Sequence, residues 1–281
     1  KLLKEVYPVL RTSSTELLVV KKKKSDATMS VLSKAIVQGT VKNDTLNDKE
    51  LAYAATLTPD LKEKEGIYLA ATKKNDSWVA HNNLAAAQLD QAKKITNDEQ
   101  KKQLIESALL HLEIARTKNE NASEVQANIG TAYLLSGNLA KSKEALVKAA
   151  QWSKSNIVTA GVNSVIGVFQ IKMGDYAGAI VSLSNGSDVP EVKYNLALAY
   201  LLSKNFESAK VAFKEAQNAD QNNAWAYYCA AITGAKMNNL EDLASNLSKA
   251  VKLDSSLKSK ATLDLEFRDF VSNPEFINSL K

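Results

Sequence analysis

The sequence predicts an all-α protein, a right-handed solenoid of helical hairpins, preceded by a small N-terminal segment that holds a strand-like stretch. Three observations predict it. A pattern of an apolar residue, a small residue and a tyrosine three further on recurs along the chain, each time followed by a polar turn. Only four prolines occur in 281 residues, which leaves room for long uninterrupted helices. Hydrophobic residues at 45% beside charged residues at 24% are the balance of a chain that buries a core.

Residues 1–46 are read as a small basic N-terminal segment and 47–281 as the solenoid with its C-terminal capping helix. The first segment holds nine Lys or Arg and four Asp or Glu, an excess equal to the whole-chain net charge of +5. The rest is therefore neutral and carries no basic stripe, which argues against nucleic acid as a partner for the body. The run Lys21–Lys24 reads as a solvated end to a strand. That strand is Thr15-Glu-Leu-Leu-Val-Val-Lys21, and Ser25-Asp26 reads as the cap of a helix over Met29–Val37. The sequence opens on Lys1, so we expect a processed or trimmed product, with 1–46 as the tail of a missing upstream domain.

In the solenoid, Asp48–Leu57 and Asp60–Thr72 are expected as an irregular helix pair, with Thr58 as N-cap and Pro59 as first helical residue. A unit follows from Trp78, with Leu84-Ala85 on its first helix and Ala108, Leu112 and Ala115 on its second. Residues 91–101 between them form an insertion that lengthens both helices. Next, Ile129, Gly130 and Tyr133 match Leu196, Ala197 and Tyr200. Each triplet is followed by a turn (Gly137-Asn-Leu, Lys204-Asn-Phe) and a small–large–small set: Ser142, Leu146, Ala149, and Ala209, Phe213, Ala216. Ile166-Gly167 with Ala179 and Leu183, and Ala230-Ala231 with Leu247 and Ala250, repeat the template. Small residues let two helices approach and large ones fill the space between them. The hairpin at 160–189 ends early at Ser184-Asn-Gly-Ser-Asp188. A last helix is expected from Asp254 to about Phe270, with Phe267, Phe270 and Phe276 covering the end of the stack.

This ~34-residue period and its residue pattern resemble the tetratricopeptide repeat. In that family the first helix of each hairpin lines a concave groove that holds a protein or peptide. The resemblance implies the groove residues Asn82, Thr131, Ser164, Val168, Tyr194, Leu198, Trp225, Tyr228 and Ile232, with Tyr194, Trp225 and Tyr228 as anchors for an apolar or uncharged segment. A second resemblance rests on Val6-Tyr-Pro-Val-Leu-Arg11, Leu46–Ala55, Ile67–Ala71 and Asn82–Ala86. It is to Gram-negative envelope proteins in which an OmpA-like peptidoglycan-binding domain precedes such repeats. It implies a periplasmic or outer-membrane-associated scaffold, failing which a cytoplasmic one. The alternative it offers is a spacer whose peptidoglycan contact belongs to the missing domain.

Signatures of catalysis are wanting. His81 and His111, on different helices, lack metal-type spacing. Gly161 and Gly167 make no phosphate loop, and Cys229 sits in the apolar run Trp225–Ile232, where a buried thiol is expected. Glu241-Asp242 suits a helix start. The expectation is a non-enzymatic interaction protein with no cofactor, no metal and no transmembrane span.

Overall fold

The structure, a computed structural model, describes residues 23–42 and 44–281, and the expected strand at 15–21 lies outside them. Among the described residues every regular element is helical. α1 (Asp26–Val37) is capped by Ser25, whose hydroxyl accepts from the Thr28 amide. α2 (Asp48–Ala54) starts in a reciprocal box between Asn47 and Glu50. α3 spans Leu61–Lys74, and here the expected cap is corrected. Asp60 is the N-cap, accepting from the Lys62 and Glu63 amides. Thr58 instead accepts from the Asp60 amide, and Pro59 lies outside the helix. Met29, Ile36, Leu46, Leu51 and Ile67 share one buried cluster, so packing crosses position 46.

The hairpins then follow in chain order: α4 (Trp78–Lys94) with α5 (Asp98–Lys118), α6 (Ser123–Leu135) with α7 (Leu139–Trp152), and α8 (Asn156–Met173) with α9 (Tyr176–Ser184). After them come α10 (Pro190–Leu202) with α11 (Phe206–Ala219), and α12 (Ala224–Lys236) with α13 (Leu240–Leu253). Each helix packs on its hairpin partner and on the next hairpin. The insertion at 91–101 does lengthen α4 and α5, which break only at Ile95–Asn97. Four of the hairpin turns use one device. A residue of positive φ (Gly137, Gly174, Lys204, Asn238) precedes an Asn or Asp whose side chain caps the second helix. Only the glycines adopt that backbone without steric cost from a Cβ.

Small residues stand where helices touch. A Cβ on Gly167 would lie 2.4 Å from Leu183 Cγ, and one on Gly130 2.7 Å from Leu146. At Gly234 the obstacle is the backbone nitrogen of Leu243, at 2.7 Å, and backbone cannot rotate away. Gly234→Ala is therefore expected to cost about 1–3 kcal/mol. Gly161→Ala, where a Cβ meets nothing within 4 Å, should stabilise its helix by about 0.5–1 kcal/mol. Denaturant melts of the two variants check the contrast, and equal shifts would contradict it.

The C-terminal helix also differs from expectation. α14 (Ser256–Leu263) stops at Asp264, which adopts an extended backbone; a 3-10 helix (Leu265–Phe270) and α15 (Pro274–Ser279) follow. The break has a cause. Asp264 caps the Glu266 amide with one carboxylate oxygen and accepts from the Tyr228 hydroxyl at 2.7 Å with the other. Phe267 and Phe276 are fully buried against α12 and α13, with Phe270 partly buried beside them. Among the described residues no helix is long and apolar enough to cross a membrane.

Candidate functional site

Along α8, Ser164, Val168 and Lys172 are spaced by four and share one face. That face forms the floor of a groove of about 310 Å³ between α6, α8 and α10. Thr131, Leu134 and Leu135 come from α6, and Val165 joins from α8. Glu191, Val192 and Asn195 come from α10, and Lys93 reaches in from the end of α4.

The short α9, only nine residues, shapes this groove. Where a longer helix would continue, residues 185–189 turn back onto α8. The Ser187 amide donates to Ser164 Oγ at 2.9 Å, Ser164 donates to the Ala160 carbonyl at 2.8 Å, and Asn163 Nδ2 donates to the Asn185 carbonyl at 3.2 Å. Ser187 and Val189 thereby become part of the wall. The walls are largely apolar and the charges stand at the ends. Lys93 and Lys172 lie in the last turns of α4 and α8, and Glu191 in the first turn of α10. These are also the ends where the helix dipole favours each sign. All three charged residues are exposed; Lys93 pairs with Asp90 at 3.1 Å.

Of the nine residues expected in a groove, Thr131, Ser164 and Val168 line it together. The others are elsewhere. Asn82 is 8% exposed and accepts from the half-buried Asn128 Nδ2 at 2.9 Å, joining α4 to α6 away from this groove. Tyr228 is corrected most firmly. It is 1% exposed, with Phe267 edge-on to its ring and Asp264 on its hydroxyl, because the chain's own C-terminal segment covers it. Burial, then the bond to Asp264, raises its pKa well above the usual tyrosine range. Tyr194 and Leu198 pack half-buried against the Ala197–Phe213–Cys229 cluster, and Ile232 against the terminal core. Trp225 stays 43% exposed, under the Lys260 ammonium at 5.6 Å.

Extending the four-residue step by one turn of α8 reaches Lys172. Val165, Val192, Asn195 and the returning loop had no such signal, because they depend on how three helices and a truncated fourth meet.

Other polar groups are engaged structurally. His81 and His111 bring their Nδ1 atoms within 2.9 Å, and His81 Nε2 donates to Asp76 Oδ1 at 2.7 Å, so the pair ties α5 to the turn before α4. Burial, and then the neighbouring His81, lowers the His111 pKa. Hydrogen bonds from Lys118 and His81 hold the Asp76 carboxyl below its ordinary range. Gln88 and Gln91 donate to the two oxygens of Glu65 at 2.9 and 2.6 Å, fastening α4 to α3. Cys229 is buried, with its thiol pushed up to about 11 by burial, so at neutral pH it is not a thiolate nucleophile. Among the described residues no group of three or more His, Cys, Asp or Glu is placed to hold a metal ion.

A family model described as tetratricopeptide repeat matches residues 123–156 and 190–223, the α6–α7 and α10–α11 hairpins. No curated protein matches. Among solved structures the fold is similar to a chain of the APC/C hetero-tetramer Cut9–Hcn1, with a TM-score of 0.68 at 12% identity, covering 92% of this chain and 46% of that one. It is similar to PilF of Pseudomonas aeruginosa, with a TM-score of 0.55 at 14% identity over 88% and 98% of the two chains. A thermophilic TPR protein of Thermus thermophilus gives 0.50 at 15% identity over 76% and 100%. At such identities these likenesses speak for the fold. Repeat register, hairpin packing and family match agree, and the chain carries tetratricopeptide repeats folded as an α-solenoid.

Proposed function

We propose that this chain is a non-enzymatic scaffold that holds an extended segment of another protein in the groove between α6, α8 and α10. One observation carries the reading: an open trough with apolar walls, formed where α9 is cut short and its loop folds inward. Such a surface gains binding energy from burying aliphatic side chains. Val168 stands on its floor, half-buried. Val168→Asp places a carboxylate where the partner must desolvate it, which is expected to weaken capture of the native partner at least about tenfold. Far-UV circular dichroism should be unchanged. Undiminished capture by a folded Val168→Asp chain would reject the groove.

We place this scaffold in a bacterial cell-envelope assembly, in the periplasm or at the outer membrane. Support comes from the residues at 6–11, 46–55, 67–71 and 82–86 that resemble envelope proteins. On this reading peptidoglycan is reached only through a separate upstream domain, and the neutral charge of 47–281 argues against nucleic acid. Fractionation of native cells tests the placement. Recovery of the protein in the cytosolic fraction alone would overturn it.

A further inference from the structure

The groove has a direction. Gly167 of α8 and Ala197 of α10 occupy the same repeat position, each packed beside the large residue of its second helix, Leu183 or Phe213. Counting from that level, Glu191 stands six residues toward the helix starts and Lys172 five toward the helix ends. At a 1.5 Å rise this separates the two charges by about 16 Å along the trough. An extended chain rises about 3.3 Å per residue and turns every second side chain to one face, so charges six residues apart, with backbones about 20 Å apart, reach both ends with their side chains inclined inward. Ser164, Val168 and Lys172 follow one another at about 6 Å, close to the ~6.6 Å between side chains on one face of an extended segment.

We propose, resting on the scaffold reading above, that the groove selects for charge order. Its occupant is an extended segment of a separate partner protein. That segment has an acidic side chain at the Lys93–Lys172 end, a basic one at the Glu191 end, and aliphatic side chains between them against Leu135, Val168 and Val192. Complementary charges at the two ends fix register and orientation, while the apolar middle supplies affinity. The groove charges are exposed, so each contributes modestly and through an ionic-strength-dependent attraction.

The test uses the full chain and four terminally blocked heptapeptides, titrated by calorimetry: Glu-Leu-Leu-Val-Val-Ser-Lys, whose end charges share one face, the same core with Lys at both ends, with Glu at both ends, and with Gln at both ends. The first has the required order, and the chain itself carries the same charge spacing between Glu16 and Lys22. The wild-type chain should prefer it, with the preference fading as salt is raised. Lys172→Glu should shift preference toward the Lys–Lys peptide and Glu191→Lys toward the Glu–Glu peptide, each by about three- to tenfold. Both residues are exposed, and folding is verified by circular dichroism.

Equal binding of all four peptides, variants that leave the ranking unchanged, or no binding of any peptide overturns the charge order. The scaffold reading is judged separately by Val168→Asp and the native partner, so it survives or falls on its own result. Self-association in sedimentation, lost both on removing residues 1–22 and in Lys172→Glu, would make a second copy the occupant and overturn the separate-partner proposal.

Discussion

Phe213→Ala is expected to cost about 3–5 kcal/mol. The ring is 0% exposed and is walled by Ala197, Ala209, Ala212, Cys229 and Ala230, with the Tyr194 ring 6.3 Å away. Its buried neighbours are small, and their helices are held by other contacts, so they cannot move in to refill the space; this puts the cost toward the upper end of the range. Position matters as much as size. In a stack where each repeat contacts only its neighbours, a weakened joint between α10–α11 and α12–α13 divides the array. Hydrogen exchange should therefore rise on both sides of the joint while α1–α3 keep their protection. A loss below about 1 kcal/mol, or exchange rising uniformly along the chain, would contradict this account.

Phe267→Ala should be comparably damaging at its own site, about 3–4 kcal/mol, yet spread less far. Phe267 is fully buried between Tyr228 and Phe276, with ring centroids 5.6 Å from each. Removing it undercuts α14, the 3-10 helix and α15, which pack on α12 and α13. The expected result is fraying of residues 256–281 and exposure of Tyr228, with the melting of the preceding hairpins little changed. Tyr228→Phe provides the control. It keeps the ring but leaves Asp264 without the hydroxyl, at a cost of about 1.5–3 kcal/mol. Tyrosine fluorescence and amide exchange at the C-terminus separate the two. Unaltered terminal exchange in Phe267→Ala would show that the segment is not held this way.

Much of the hairpin architecture was legible because close helix contact restricts residue size locally. Gly130 with Leu146 and Gly167 with Leu183 announce their pairing from a dozen or more residues apart. The early end of α9 was equally visible in Ser184-Asn-Gly-Ser-Asp188. The groove was less so. Tyr194 and Tyr228 sit at equivalent repeat positions, and sequence position alone assigns both to the concave side. What buries Tyr228 is a carboxylate 36 residues later that bends the last helix out of line. Asn82 was misplaced for a related reason, since its partner Asn128 is 46 residues away. Long-range polar contacts leave no periodic trace, whereas the four-residue step through Ser164 and Val168 does.

The sealed C-terminal end bears on how such an array can grow. Asp264, Phe267 and the Lys236–Glu266 ion pair anchor the tail onto α12. The faces of α12 and α13 on which a following hairpin would pack are therefore occupied by residues 257–280. A hairpin copied and inserted ahead of α12 would meet matching faces above and below and leave the seal intact. An array of this kind can lengthen by internal duplication without disturbing its terminal core.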